Sequence, residues 1–211
     1  MGSFKNCRFC KITCGEYHYV GIDEPFASND EFFAIASIGA LVKGWTLIVP
    51  KFHQVSLRNT YSSPLFLDIL QSVIPLLVQR YGPLISFEHG ANREGSITSC
   101  GTDHAHLHLV PLGESLLPEL KKSNLQWHRC QTNEIASICG DNEYLFYCEL
   151  DNKNNWKDTI GYLHILNNPL SQFFRGLIAR RKGVVDMADY KQFPQLDTAR
   201  ETRRALISSV I

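Results

Sequence analysis

The sequence predicts an α+β fold that mixes antiparallel strands with helices, and three observations support this prediction. Two segments rich in β-branched and aromatic residues, 31–38 (EFFAIASI) and 45–49 (WTLIV), flank a turn at Gly44. A longer segment, 63–80, begins at a candidate N-cap, Ser63, and ends before a glycine-proline stop, as a helix does. The helical and strand patterns do not alternate regularly, which excludes a doubly wound parallel sheet.

Other segments of the sequence carry strand, helix and turn signals of the same kinds. Pro75 lies inside the predicted helix, so we expect a kink or a break there. Further strands are predicted at 84–89, 106–111, 144–150 and 162–166, with a polar turn at 151–155. Further helices are predicted at 115–125, 171–181 and 198–211. A polar, glycine-containing loop, 90–101, separates the strands 84–89 and 106–111.

The composition fits an ordinary folded protein and excludes several classes of function. The chain has 211 residues, of which 44% are hydrophobic and 20% are charged, and these values argue against disorder. Lysine plus arginine and aspartate plus glutamate both number 21, so the formal net charge is zero. Because the chain has no net basic charge, we expect no general nucleic-acid binding.

The composition also predicts a cytoplasmic protein. The most apolar stretch, 65–78, is interrupted by Asp68, Gln71 and Pro75, so it predicts no membrane span. Residues 1–10 lack the long apolar run of a secretory signal. Seven cysteines are an odd number, which disfavours a fully paired secreted framework and favours a reducing compartment.

The segment 103–111 (DHAHLHLVP) carries the most informative pattern in the chain. His104, His106 and His108 alternate with apolar residues, so a strand places the three imidazoles on one face and the apolar residues on the other. Burying three imidazoles as core filler is costly because their nitrogens need hydrogen-bond partners. The pattern therefore indicates a ligand or catalytic site, with a solvated histidine-rich face as the alternative.

Such a face suits phosphoryl chemistry. Histidine attacks phosphorus to form a phosphoramidate, and neighbouring imidazoles donate hydrogen bonds to phosphoryl oxygens. The preceding loop adds glycines, whose backbone N–H groups approach a phosphate closely, and it adds hydroxyl side chains. The glycines of the loop are Gly90, Gly95 and Gly101. The hydroxyl groups belong to Ser96, Thr98 and Ser99 in the loop and to Thr102 directly after it.

Cys7 and Cys10 form a C-x-x-C pair near the N-terminus. This spacing suits two thiolates on one zinc ion, but a closed structural site needs four ligands. A redox pair or two unligated thiols are the alternatives that the spacing leaves open.

Together these segments resemble the histidine triad superfamily of nucleotide hydrolases and transferases. The resemblance rests on the triad at 104–110, on CRFCKI at 7–12, and on 31–53 with its Pro-Lys-x-His turn ending at His53. It implies a HIT-like fold with an antiparallel sheet of about five strands and flanking helices. It also implies a histidine triad domain at 1–112 and a C-terminal α/β extension at 113–211 that packs on it.

The resemblance further implies a mechanism and a set of site residues. His106 would attack the α-phosphorus of a nucleoside phosphate ester, anhydride or phosphoramidate, such as a dinucleoside polyphosphate, and form a covalent nucleotidyl-histidine. His108 would hold a phosphoryl oxygen.

The predicted contacts to the substrate and its phosphates are Ser99, Gly101, Thr102 and Ser37. The predicted zinc ligands are Cys7, Cys10, His53 and His104. An apolar slot for the base would draw on Phe9, Ile12, Phe26, Phe33 and Ile38, for which plain core packing is the alternative. Family members are often homodimers, and we expect one here.

The sequence departs from the family at three positions. Ser37 stands where an aspartate commonly grips the ribose, Trp45 where histidine is common, and Cys100 where glutamine is frequent. These departures leave open an alternative function, a nucleotide-binding regulatory module with little turnover. Arg175 in the extension either approaches a substrate phosphate or belongs to a solvated helix face.

Overall fold

The computed structural model describes residues 6–151 and 156–208, which form one eight-stranded antiparallel sheet and six α-helices. The strands are β1 (Ala27–Ser28), β2 (Phe32–Ala36), β3 (Thr46–Pro50), β4 (Leu84–Gly90), β5 (Leu107–Val110), β6 (His128–Gln131), β7 (Tyr144–Leu150) and β8 (Ile160–Ile165). The helices are α1 (Arg8–Thr13), α2 (Pro64–Tyr81), α3 (Leu117–Lys122), α4 (Ile135–Cys139), α5 (Phe173–Arg181) and α6 (Leu196–Ile207). The predicted α+β architecture is confirmed.

The strand order β1-β2-β3-β5-β4-β7-β8-β6 places the histidine strand β5 inside the sheet. His108 pairs with Leu47 of β3 on one side and with Phe87 of β4 on the other. Hydrogen bonds to β3 and β4 hold both edges of β5, so the orientation of each side chain on this strand is fixed. Strand β5, which carries His108, is therefore supported on both sides, and His104 and His106 lie in the segment just before it.

Five strands precede residue 112, as expected, and three more come from the extension. Strand β7 pairs with β4 along its whole length, from Leu84 opposite Leu150 to Gly90 opposite Tyr144. Strand β8 pairs with β7, and β6 closes this end of the sheet. The sheet thus crosses the predicted domain boundary without a break, and the division at residue 112 stays a prediction.

Both faces of the sheet are covered, which explains the continuous apolar runs of β2 and β3. Ala34 and Ile48 face one apolar cluster, which contains the buried side of α2. Phe33 and Leu47 face a second cluster, which includes Phe174 of α5. Alternate residues of each strand thus point to opposite cores. The second face carries the candidate site.

Several details differ from the sequence predictions. Helix α2 is a single helix through Pro75, so the expected break is wrong. Pro75 removes one backbone donor, but its neighbours Ile74 and Leu77 are buried and hold the helix in place by packing. Ser63 lies at the N-cap, but its side chain does not cap the helix. Helices α1 and α4 and strands β1 and β6 were not predicted from the sequence.

Two predicted elements extend into parts of the chain that the structure does not describe. The turn at 151–155 lies outside the described residues except for Asp151, and so do the last three residues of the helix predicted at 198–211. Within the described residues, every helix is too short or too polar to cross a bilayer.

We predict that a chain ending at Leu112 does not fold cooperatively. It would lose β7 from the full length of β4 and would expose the apolar face that α5 covers. An unpaired seven-residue edge next to an uncovered apolar face favours aggregation. Size-exclusion chromatography and thermal unfolding followed by circular dichroism check this, and a monodisperse fragment with a cooperative transition would contradict it.

Candidate active site and metal cluster

A cavity of about 620 Å³ opens on the second face of the sheet, and all three triad histidines line it. Its walls come from α1, β3, β4, the segment 99–108 and α5, so the first half of the chain and the extension both contribute. His104 is buried, whereas His106 and His108 are half-buried. The period-two spacing predicted this common side, and the structure places the three imidazoles there.

His106 lines the cavity, and one of its two ring nitrogens has a hydrogen-bond partner. Its Nδ1 lies 2.9 Å from the carbonyl oxygen of His104, so Nδ1 carries the proton and donates it. This tautomer leaves the lone pair on Nε2, which has no hydrogen-bond partner among the described residues. Burial lowers the pKa of His106 below its usual value and favours the neutral, nucleophilic ring.

His108 is held in the opposite tautomer. The indole Nε1–H of Trp45 donates to His108 Nδ1 at 2.9 Å, so the proton of His108 sits on Nε2. The imidazole also stacks on Phe87, with ring centroids 4.3 Å apart and planes 20° apart. Burial lowers the pKa of His108 well below its usual value, and the positive charge of a protonated His106 would lower it further.

The two rings therefore offer complementary groups side by side. Their centroids lie 4.7 Å apart. His106 offers a lone pair, and His108 offers an N–H donor. A nucleophile beside a donor suits attack at an atom that bears an oxygen, because the donor stabilises charge that develops on that oxygen.

Cys7, Cys10, His53 and His104 form a cluster whose four ligand atoms all lie within 4.8 Å of one another. The Sγ of Cys7 is 3.3 Å from His104 Nδ1, and the Sγ of Cys10 is 3.3 Å from His53 Nδ1 and 3.6 Å from His104 Nδ1. Tetrahedral zinc–sulfur and zinc–nitrogen bonds require a sulfur–nitrogen separation of about 3.6 Å. The donor set and its spacing thus fit a metal ion.

The surroundings of the cluster also fit a metal. The outer nitrogen of His104, Nε2, lies 2.8 Å from the carbonyl oxygen of Pro50, and that of His53 lies 3.3 Å from Glu94. Such outer contacts orient metal-binding imidazoles. Burial and the neighbouring Cys7 thiol raise the pKa of Cys10 to about 12, so its thiolate needs a cation at neutral pH. Burial lowers the pKa of His104 to about 4, which keeps its ring neutral and able to bind a metal.

The predicted phosphate loop lines the cavity with Ser99, Gly101 and Thr102. The Ser99 hydroxyl lies 2.7 Å from the carbonyl oxygen of Ser96 and 2.8 Å from Asp103, so it is engaged within the loop. Gly101 has a φ of +80°, in the region that favours glycine, and its N–H makes no hydrogen bond to the described residues. A Cβ at Gly101 would lie 2.5 Å from the amine of Lys191, which places this cation over the loop.

The other predicted substrate contacts divide between the cavity and the core. Ser37 lines the cavity, and its hydroxyl donates to the carbonyl oxygen of Ile38 at 3.0 Å. Of the residues considered for the apolar slot, Phe9 and Ile38 line the cavity. Ile12 and Phe33 belong to the second apolar cluster, and Phe26 packs on the first cluster, away from the cavity.

Several residues that line the cavity were not among the predicted site residues. Trp45 appeared only as a departure from the family, and the structure joins it to His108. Gln172 of the extension lies beside Cys100, with its backbone N–H 3.1 Å from the sulfur, and both residues have positive φ. Arg175 is buried in the cavity wall, so the solvated-face interpretation is wrong for it, while Arg180 and Arg181 are exposed. Packing of the extension brings Gln172 and Arg175 to the cavity, and no local motif signals it.

Comparison with known proteins finds relatives over half of the chain, although no protein-family model matches it. The protein named Protein hit from Bacillus subtilis (strain 168) is 27% identical over 117 residues, which cover 53% of this chain and 74% of that protein. An uncharacterized HIT-like protein from Mycobacterium tuberculosis (strain H37Rv) is 30% identical over 105 residues, which cover 50% of this chain and 70% of that protein. The chain belongs to the HIT family. The resemblance stated from the sequence is confirmed, and the HIT-like fold with it.

Solved HIT structures also match about half of this HIT-family chain. A Hit-like protein involved in cell-cycle regulation from Bartonella henselae, with an unknown ligand, is 19% identical with a TM-score of 0.40. The match covers 51% of this chain and 77% of that one. A HIT family hydrolase from Clostridium thermocellum is 21% identical with a TM-score of 0.36, covering 50% of this chain and 90% of that one.

We predict that the protein binds a metal ion through the Cys7, Cys10, His53 and His104 cluster and that Cys10→Ser releases it. Binding at a free ion concentration of about 100 times the dissociation constant stabilises the fold by about 2.7 kcal/mol, so the variant should melt at a lower temperature. Cys14→Ser is the matched control because Cys14 is exposed and lies outside the cluster. Elemental analysis and thermal unfolding check this, and equal metal content in the two variants would contradict it.

Proposed function

We propose that this HIT protein is a nucleotide hydrolase or nucleotidyl transferase that acts at the α-phosphorus of a nucleoside phosphate ester, anhydride or phosphoramidate. The pairing of a lone pair on His106 with an N–H on His108 inside the cavity supports this proposal most strongly. Dinucleoside polyphosphates and nucleoside phosphoramidates are the first substrates to test.

The reaction proceeds in two displacements. In the first, the lone pair of His106 Nε2 forms a bond to the α-phosphorus, and the bond from phosphorus to the leaving group breaks. The leaving group departs with that electron pair and, where it is an amine or an alcohol, takes up a proton from solvent. The N–H of His108 donates to a phosphoryl oxygen throughout. In the second, water or another acceptor attacks the same phosphorus, loses a proton to solvent, and releases His106 as a neutral ring.

The loop 99–102 and Ser37 are proposed as the contacts that hold the substrate. The free N–H of Gly101 and the hydroxyl of Thr102 would bind phosphate oxygens, and Lys191 lies close enough to offset their charge. The Ser37 hydroxyl keeps its lone pairs for one sugar hydroxyl, because it donates its own proton to Ile38. A serine makes a weaker, uncharged contact than the aspartate common in the family.

We propose that the ion in the metal cluster is zinc with a structural role. Two thiolates and two imidazoles are the ligands of closed structural zinc sites. The cluster joins α1 and the turn after β3 to the start of the histidine strand. When bound, the ion would hold the cysteines as thiolates and fix the ring of His104.

The second candidate function is a nucleotide-binding regulatory module with little turnover. The departures at Ser37 and Cys100 favour it, because both residues line the cavity and neither has the side chain common in the family. Calorimetry that detects nucleotide binding, together with no nucleotidyl-protein after acid quenching, would favour this candidate over the enzyme.

Cytoplasmic residence and a homodimer stay predictions. The outer side of β4 is already paired with β7, so a second copy that extends the sheet would have to pair at β1 or β6. Sedimentation analysis of the full chain gives the oligomeric state directly.

We predict that His106→Asn lowers kcat by about two to four orders of magnitude, because the variant loses its covalent nucleophile. Mass spectrometry of the acid-quenched wild-type reaction should detect a nucleotide mass added at His106. His128→Asn is the matched control, since His128 is exposed on the edge strand β6. Undiminished turnover by His106→Asn would show that the nucleophile is assigned to the wrong residue.

A further inference from the structure

Arg175 is a buried cation of the extension that contacts the first half of the chain. It is 7% exposed on α5, and its guanidinium donates to the carbonyl oxygen of Gly39 and, through Nε at 2.5 Å, to that of Ala188. Burial lowers its pKa to about 10, which still leaves it charged at neutral pH. Burying a guanidinium is costly unless it is hydrogen-bonded, and the bonds to these two carbonyls fix its position in the cavity wall.

The same guanidinium lies over the indole of Trp45. Its central carbon is 5.4 Å from the ring centroid, within the range of a cation–π contact. Trp45 is 1% exposed and meets Phe87 edge-on, so the indole is packed between the guanidinium and the core. The indole N–H in turn donates to His108 Nδ1 at 2.9 Å. An unbroken set of contacts therefore leads from Arg175 through Trp45 to His108.

We propose that Arg175 is a positioning residue that acts on the triad through Trp45. The guanidinium holds the plane of the indole, and the indole N–H makes Nδ1 of His108 the acceptor, so that the proton stays on Nε2. This inference rests on the proposed function, which makes that Nε2–H the donor to a phosphoryl oxygen. The extension thereby sets the hydrogen-bonding state of a residue on the central strand.

The geometry favours this role over a side-on grip on phosphate by Arg175. The guanidinium lies in the cavity wall, but its Nε and Nη2 are committed to the carbonyls of Ala188 and Gly39. Because Nε is committed, the side-on pair of parallel N–H groups on Nε and Nη2 is closed to a phosphate. The face of the guanidinium, in contrast, is already placed on Trp45.

The test measures the tautomer of His108 by ¹⁵N NMR at neutral pH in the full-length, metal-loaded protein without substrate. Arg175→Lys keeps the charge but loses the planar fork, and Trp45→Phe keeps a ring but loses the N–H. Arg180→Lys is the matched control, because Arg180 lies on the same helix and is exposed. Melting temperatures and metal content confirm that each variant is folded.

We expect the wild type and Arg180→Lys to hold His108 with the proton on Nε2, and both Trp45→Phe and Arg175→Lys to mix the two tautomers. Turnover of the best substrate should fall about tenfold in Trp45→Phe with KM nearly unchanged, as for one lost hydrogen bond. The double variant that combines Trp45→Phe with Arg175→Lys should be no slower than Trp45→Phe alone, because Arg175 acts through Trp45.

Three results would overturn the inference: a proton on Nδ1 of His108 in the wild type, an unchanged tautomer in Arg175→Lys, or additive losses in the double variant. Because the tautomer is read without substrate, it separates this inference from the proposed function. If His108 shows the expected tautomers in the wild type and the variants but no nucleotide is added to His106, the positioning role is supported and the proposed chemistry is rejected.

Discussion

The hydrogen bond from His106 Nδ1 to the carbonyl oxygen of His104 is the interaction on which the rest of the site depends. It determines which nitrogen of His106 faces the cavity with a lone pair. The peptide group that accepts it belongs to a residue whose side chain lies in the metal cluster and whose Nε2 contacts Pro50. A metal ion in the cluster would thus stabilise the backbone that orients the proposed nucleophile, although it lies outside the reaction itself.

The second constraint comes from the extension, which completes the sheet and the cavity together. Strand β7 pairs with β4, and α5 covers the face on which Phe87 stacks against His108. Packing at this face partly buries His108 and lowers its pKa, so the ring stays neutral. The same packing carries Gln172 and Arg175 into the cavity wall. The part of the chain that resembles the family least therefore contributes directly to the proposed site.

The sequence predicted best what depends on local spacing. The strand at 144–150 has the predicted bounds, and the period-two spacing placed His104, His106 and His108 on one side of the cavity. The resemblance predicted a set of four metal ligands, and the structure brings these four side chains together. Their role as ligands stays a prediction.

What the sequence did not predict depends on partners distant in the chain. Whether Arg175 faces solvent or the cavity depends on the carbonyl oxygen of Gly39, which is 136 residues away. The role of Trp45 depends on its register opposite the strand of His108, and Cys100 reaches the cavity wall because it adopts a positive φ beside the extension. The continuity of α2 through Pro75 depends on tertiary packing that offsets one lost hydrogen bond.

The tautomer of His106 in the metal-loaded protein tests the central claim most directly. Long-range ¹H–¹⁵N correlation spectra at neutral pH distinguish a proton on Nδ1 from one on Nε2. We expect a protonated Nδ1 and an unprotonated Nε2 directed into the cavity. A proton found on Nε2 would leave no lone pair facing an incoming phosphorus atom and would contradict the account.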